Sequence, residues 1–123
     1  MRRCRRFRAA ECALQLRLPG LMGALAGNVA RAVVDVSDSG MAALVSRRLD
    51  EFVLVRLKLT IGAYRETFEL AAEVRRCAPS LGDGDLFRVG LRFVDPSAVF
   101  LACIRRLLFD RMRAPGPRPV RSA

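Results

Sequence analysis

Two stretches of this chain combine residue types that could bind a charged nucleotide. Residues 33–40, Val-Val-Asp-Val-Ser-Asp-Ser-Gly, place a carboxylate and a hydroxyl at the end of a hydrophobic segment, before a glycine at which the chain can turn. The Asp35 carboxylate can accept hydrogen bonds from paired N–H groups, such as those on the edge of a guanine, and Ser37 lies close by. Residues 2–8, Arg-Arg-Cys-Arg-Arg-Phe-Arg, supply planar guanidinium forks that suit phosphate oxygens and the O6/N7 edge of guanine. Together the two stretches predict a site for an anionic guanine nucleotide.

The composition argues against an enzyme and against a metal site. The chain has 123 residues, 52% of them hydrophobic, which is enough for one folded domain with its own core. It contains no histidine, which is the commonest general base and metal ligand in proteins. No two cysteines have the spacing of a zinc motif, and all four are typical of reduced thiols in a cytoplasmic protein: Cys4, Cys12, Cys77 and Cys103. We therefore expect a binding protein that has no catalytic activity, no metal and no cofactor.

The net charge of +10 comes almost entirely from arginine, and its distribution is uneven. Five arginines fall within the first eight residues, and no acidic residue precedes Glu11. Such a run is typical either of a solvated tail or of an arm that binds anions. Nucleic acid would be another anionic partner, but Tyr64 and the phenylalanines fall mostly at core-facing positions, where they cannot stack on bases. We expect no DNA or RNA partner.

No segment predicts export or membrane insertion. Basic residues precede the apolar residues 14–26, but Glu11, Gln15 and Arg17 interrupt the start of this region, and Pro19 and the glycines after it break up the rest. No run approaches the roughly 18 apolar residues that indicate a membrane-spanning helix. We expect a cytoplasmic protein.

Apolar and polar residues alternate in several segments, as they do in antiparallel strands with one face buried. In residues 87–94, for example, Val89 and Leu91 alternate with Arg88 and Arg92. Six segments fit this pattern: residues 12–18, 29–36, 41–46, 52–61, 66–76 and 87–94. Turns rich in glycine, proline and aspartate join them, which favours a small closed barrel or a sandwich.

The pattern becomes helical after Asp95. Asp95 is predicted to cap a helix that begins at Pro96, whose missing N–H would have no partner at a helix start. An apolar stripe at helical spacing then predicts packing against the strands: Val99, Phe100, Cys103, Ile104, Leu107 and Leu108. The sequence thus predicts a domain at residues 10–113 that has an all-β fold and ends in a C-terminal helix. A flexible arginine-rich arm is predicted at residues 1–9, and a disordered, proline-rich tail at residues 114–123.

These features together resemble the PilZ domain family, whose members are bacterial receptors for cyclic di-GMP. Residues 35–40 (Asp-Val-Ser-Asp-Ser-Gly) are similar to the DxSxxG motif of the family. Residues 87–94 (Phe-Arg-Val-Gly-Leu-Arg-Phe-Val) resemble its last barrel strand, and a helix ends the family's fold in the same way. The resemblance covers residues 2–113 and implies a six-stranded antiparallel PilZ-like β-barrel followed by the helix.

The resemblance also implies which residues contact the ligand from the barrel. Asp35 and Ser37 would contact a guanine, and Gly40 would form the turn. We expect Asp35 and Ser37 to be exposed at one end of the barrel, within reach of the N-terminal arm.

The arm of the family carries an RxxxR motif, which folds over the ligand and holds phosphates and guanine edges. Arg2 and Arg6 match this motif literally. The second arginine of the motif usually lies just before the first strand, which favours Arg8 instead, and Cys4 then occupies the position of the first arginine. The motif therefore has two assignments, Arg2 with Arg6, or Arg8 with Cys4 in place of the first arginine.

The function that the resemblance implies is a cyclic di-GMP receptor that acts through a downstream partner protein. Binding would order the arm against the barrel and so change the surface that the partner meets. An alternative is a degenerate PilZ-like interaction module that binds no nucleotide. Such a module would dock through an apolar loop at residues 18–26 or through the C-terminal helix, for example in motility or secretion.

Overall fold

The computed structural model describes residues 7–8, 12–61, 66–82 and 84–113. Most of the predicted arm and the predicted tail at residues 114–123 lie outside these ranges. The elements in chain order are β1 (Phe7–Arg8), β2 (Cys12–Arg17), α1 (Gly20–Ala26), β3 (Ala30–Val36), β4 (Gly40–Val45), β5 (Leu54–Ile61), β6 (Glu66–Pro79), β7 (Phe87–Val94) and α2 (Ala98–Arg113). Within the described ranges, neither helix is long and apolar enough to cross a bilayer.

The strands form one antiparallel sheet, in the order β1-β3-β4-β7-β6-β5-β2, which curves into a nearly closed barrel. The two ends of the barrel wall meet where the Val29 N–H donates to the Leu16 carbonyl oxygen at 3.0 Å. Beside this bond, the Asn28 Oδ1 accepts from the backbone N–H groups of Leu16 and Ala30 at 2.8 and 3.0 Å. The predicted six-stranded antiparallel barrel is confirmed, and the two-residue β1 adds a short pairing at the edge of β3.

The predicted alternation of buried and exposed residues is confirmed in the strands. In β5, Val55, Leu57 and Leu59 are buried, whereas Arg56 and Lys58 between them are exposed. The inward residues of β2 to β7 form a single core, because side chains on the concave face meet those of the opposite wall. The outward face is therefore free to carry a site.

Helix α2 begins at Ala98, two residues later than predicted. The Ser97 Oγ accepts a hydrogen bond from the Phe100 N–H at 3.1 Å, so Ser97 caps the helix in place of Asp95. Asp95 instead adopts a φ of 47°, which places it in the connection from β7. The predicted start at Pro96 is wrong, because a serine nearer the first apolar residue satisfies the free N–H.

Phe100 anchors α2 on the barrel. Its side chain is fully buried, and its ring meets those of Phe68 and Phe93 edge to face, with centroids 5.2 and 5.1 Å apart. Ile104 is also fully buried, in agreement with the predicted stripe. Val99 is 71% exposed, which contradicts its predicted core position. It lies at the edge of the stripe, about 100° around the helix axis from Phe100.

The Cys103 thiol links α2 to the first residue of β6. Its Sγ donates to Glu66 Oε1 at 2.9 Å. Burial is the largest cause that raises the pKa of Cys103, and together with the hydrogen bond to Glu66 and the negative charge of that carboxylate, against a lowering by Arg106, it brings the pKa to about 11. The thiol is therefore protonated at neutral pH and serves as a hydrogen-bond donor.

Candidate functional site

The turn between β3 and β4 is organised by the Ser37 hydroxyl. Its Oγ accepts from the backbone N–H groups of Ser39 and Gly40, each at 3.3 Å, and lies 3.2 Å from the Gly40 carbonyl oxygen. Ser37 is fully buried, so the prediction that it is exposed is wrong. The N–H groups of a tight turn need acceptors, and a hydroxyl two or three residues before them can supply one. What Ser37 visibly does is hold the turn that follows Asp35.

A bulge in β3 directs Asp35 away from the core. In a regular strand, Asp35 would share a face with Val33, which is buried. The register with β4 shifts between these two residues, so that Val34 is the extra residue and Asp35 is paired with Ala42 on the outer face. The carboxylate is thus half-buried on the outside of the barrel, as a ligand contact would require.

Gly40 is required by the close approach of β4 and β7. A Cβ at this position would overlap the Leu91 carbonyl oxygen and would lie 3.2 Å from the Arg92 Cα. Gly40 also accepts the Ser37 N–H at 2.8 Å, which closes the turn. Its predicted role as turn former is therefore supported, with strand packing as a second reason for glycine.

One row of paired residues crosses the outer face of the sheet through Asp35. Ala42 lies opposite Asp35, Gly90 opposite Ala42, and Arg76 opposite Gly90. On its other side, the Cα of Asp35 is paired with that of Arg8 in β1. Ala42 and Gly90 have little or no side chain, so the row has a low, flat centre between charged ends.

This row lies in a groove of about 1050 Å³ on the outer face of β3, β4, β6 and β7. Four arginines line the groove: Arg75, Arg76, Arg88 and Arg92. Asp35 is the only acidic residue among its lining residues. The groove is therefore strongly positive, with one carboxylate at its edge, and suits an anion that also carries hydrogen-bond donors.

A second bulge brings two of these arginines to the same face. The register of β6 with β7 shifts between Val74 and Arg76, so Arg75 is an extra residue and both neighbouring arginines are exposed. Arg75 is held by an ion pair with Glu73 at 3.0 Å and stands 5.4 Å from the centre of the Phe52 ring. Sequence reasoning did not select these arginines, because strict alternation would place one of the two inside.

The turn is also connected to the elements behind it. The Ser39 carbonyl oxygen accepts the Phe93 N–H at 3.0 Å. Asp38 forms an exposed ion pair with Arg105 of α2, with Oδ2 and Nε 3.3 Å apart. The segment that follows Asp35 is thus in contact with both β7 and the C-terminal helix.

The predicted arm residues are only partly described. Arg2, Cys4 and Arg6 lie outside the described residues, and for Arg8 only the backbone position is given. The choice between the two assignments of the arginine motif stays a prediction. Within the described ranges, no three side chains of cysteine or acidic residues lie close enough to hold a metal ion.

The described residues thus form a small antiparallel barrel with a helix packed on it and a positively charged groove on its outer face. The model of the PilZ domain family matches residues 2–110, which is most of the chain, so the chain belongs to that family. A search among curated protein sequences gave no match.

Solved structures with the same fold include three PilZ-type proteins. The Bacillus subtilis inhibitor of motility, MotI/DgrA, superposes with a TM-score of 0.73 and 14% sequence identity over 95% of this chain and 54% of its own. Escherichia coli YcgR in complex with c-di-GMP superposes with a TM-score of 0.67 and 22% sequence identity. The match covers 91% of this chain and 46% of YcgR. The K. pneumonia MrkH–c-di-GMP complex superposes with a TM-score of 0.70 and 21% sequence identity. The match covers 92% of this chain and 53% of MrkH. The chain thus spans about half the length of each, and at these identities the likeness shows the fold alone.

Proposed function

We propose that this PilZ domain is a receptor for cyclic di-GMP and binds it in the groove on β3, β4, β6 and β7. The observation that best supports this proposal is the row of paired residues on the outer face. In this row, Asp35 lies between the Cα of Arg8 and the flat centre formed by Ala42 and Gly90. Two similar folds, YcgR and MrkH, were solved as complexes with c-di-GMP.

The proposed contacts follow from the chemistry of the ligand. Cyclic di-GMP carries two phosphodiester charges and two guanines, so it offers anionic oxygens, N–H donors and flat aromatic faces. Asp35 accepts from the guanine N1 and N2 donors, and the low surface over Ala42 and Gly90 leaves space for a ring. The arginines of the groove and of the arm compensate the phosphate charge.

Calorimetric titration of the full chain with cyclic di-GMP tests the proposal, with GTP and the linear dinucleotide as controls. We expect saturable binding of the cyclic dinucleotide only, with an affinity that falls moderately as salt concentration rises, since the ligand carries few charges. No binding of cyclic di-GMP at low salt would contradict the proposal and favour the interaction module without a nucleotide.

Replacing Asp35 with alanine should weaken binding by about 1.5–3 kcal/mol, the usual range for a hydrogen bond to a charged group. The free energy of unfolding should change little, because the side chain lies on the outer face. Titration and urea unfolding of the same preparation measure both. Asp50→Ala, at an exposed aspartate that does not line the groove, is the matched control. Wild-type affinity in Asp35→Ala would limit Asp35 to a role in the turn.

Among the arm residues, Arg8→Ala should weaken cyclic di-GMP binding most, Arg6→Ala less and Arg2→Ala least. Arg8 is already paired with β3 through its backbone. On the sequence prediction of a flexible arm, the residues farther out are fixed only on binding, at a cost of about 1–2 kcal/mol for each backbone residue. Titration of the three variants gives the ranking. If Arg2→Ala and Arg6→Ala lose more than Arg8→Ala, the literal RxxxR assignment is the right one.

As part of the same proposal, the protein is a cytoplasmic effector that performs no catalysis and signals through a protein partner. Ordering of the arm on the ligand changes the surface around β1 and β3, which is where a ligand-dependent partner would bind. The similar Bacillus subtilis protein MotI is named an inhibitor of motility, which makes motility one setting for such a partner.

A further inference from the structure

Helix α1 carries an apolar surface that no other described residue covers. None of its side chains is buried, and Leu21, Met22 and Leu25 are exposed, the two leucines to 73% and 75%. Leu21 and Leu25 are four residues apart and lie on one helix face. We refer to these three residues as the α1 patch. Adjacent exposed leucines are typical of an interaction surface, since they gain nothing from contact with water.

A groove of about 800 Å³ runs between α1 and the strands β2, β5 and β6, and it is lined on the helix side by residues other than the α1 patch. Its helix side is lined by Gly20 and Gly23, which leave the groove open. Its strand side carries three cations, Arg17, Arg56 and Lys58. The same short helix therefore carries the α1 patch and borders a groove in which cations outnumber the one carboxylate, Glu69.

The two arginines of this groove have no described carboxylate to balance them. Arg17 and Arg56 are paired Cα partners on neighbouring strands, an arrangement in which like charges repel. In the described part of the chain, neither guanidinium has a carboxylate within ion-pair distance. Lys58, by contrast, has the acidic Glu69 as its Cα partner on β6. The Arg17–Arg56 pair is thus a place where an external carboxylate would relieve repulsion.

We propose that the α1 patch and its groove bind an acidic amphipathic segment of a partner protein. Apolar side chains of that segment cover Leu21 and Leu25, and a carboxylate lies between Arg17 and Arg56. A protein segment fits better than a lipid surface, because the cations line a groove that a narrow chain can enter and a flat bilayer cannot. The surface occupies a different part of the barrel wall from the nucleotide groove, so the inference does not depend on nucleotide binding.

A library of random peptides displayed on phage, selected on the full chain without nucleotide, tests this inference. We expect enriched peptides that combine acidic with apolar residues. The best peptide should bind Leu21→Ser/Leu25→Ser and Arg17→Glu/Arg56→Glu about tenfold more weakly than wild type, as expected when anchor side chains of an interface are removed. Val99→Ser and Arg47→Glu, at exposed sites elsewhere, should bind it as wild type does.

A charge exchange makes the test specific. A version of the peptide with lysine at its acidic positions should bind Arg17→Glu/Arg56→Glu better than it binds wild type. The inference is overturned if no acidic peptide is enriched, or if the peptide binds all variants equally. Two further results would overturn it. One is binding of the wild type to vesicles that contain anionic phosphatidylglycerol, and the other is self-association of the wild type in sedimentation, if Leu21→Ser/Leu25→Ser abolishes either.

Discussion

Replacing Gly40 with alanine is expected to destabilise the domain by about 3 kcal/mol, the upper end of the usual cost of overpacking. The added Cβ would overlap the Leu91 carbonyl oxygen and lie 3.1 Å from its carbonyl carbon. These are backbone atoms of β7, so a rotamer change cannot relieve the contact, and β4 and β7 must move apart. Because the same residue closes the turn after Asp35, the groove should also lose its shape.

Urea unfolding, followed by circular dichroism, measures this loss, and Gly90→Ala is the matched control. A Cβ on Gly90 would lie 3.2 Å from the Arg76 Cγ, which belongs to a flexible side chain that can move aside. Its stability should change by about 0.5 kcal/mol or less, as for most surface substitutions. Its cyclic di-GMP affinity should fall, because the flat centre of the groove is raised and Arg76 is displaced. Equal stability of the two variants would show that the strands accommodate a side chain at Gly40.

The barrel and its core could be predicted from the sequence because alternation reports directly which face of a strand is buried. Val55, Leu57 and Leu59 alternate with charged residues, and the structure buries the first set and exposes the second. Phe100 and Ile104 were predicted in the same way from helical spacing. Periodicity does not give the width of a buried stripe, which is why Val99, at its edge, was wrongly included.

The candidate site was only partly predictable, since it depends on two bulges. Asp35 was selected by its chemistry, but alternation alone would place it on the same face as the buried Val33. Arg75 and Arg76 were not selected at all, and a bulge between β6 and β7 exposes both. Bulges follow from how neighbouring strands fit together and have no clear signature within one strand.

Ser37 shows a different limit of sequence reasoning. A hydroxyl beside a carboxylate can contact a ligand or can accept backbone N–H groups, and the residue type is the same in both cases. The buried turn requires the second role, as its bonds to Ser39 and Gly40 show. Helix α1 is a related case, because the apolar loop predicted at residues 18–26 contains a helix, Gly20–Ala26, without any buried side chain.

Replacing Phe100 with alanine is expected to have the largest effect on stability, a loss of about 3–5 kcal/mol. The fully buried ring makes edge-to-face contacts with Phe68 in β6 and Phe93 in β7, so its removal leaves a cavity where α2 closes the barrel. Two aromatic contacts are lost together with the burial of the ring itself. A loss of this size is a large fraction of the stability of a small domain.

The neighbouring residue provides the control for this substitution. Val99→Ala removes an exposed side chain and should change the free energy of unfolding by about 0.5 kcal/mol or less. Comparable losses in Phe100→Ala and Val99→Ala would mean that the apolar stripe of α2 packs as the sequence predicted. If Phe100→Ala alone is destabilised, the helix is held by Phe100.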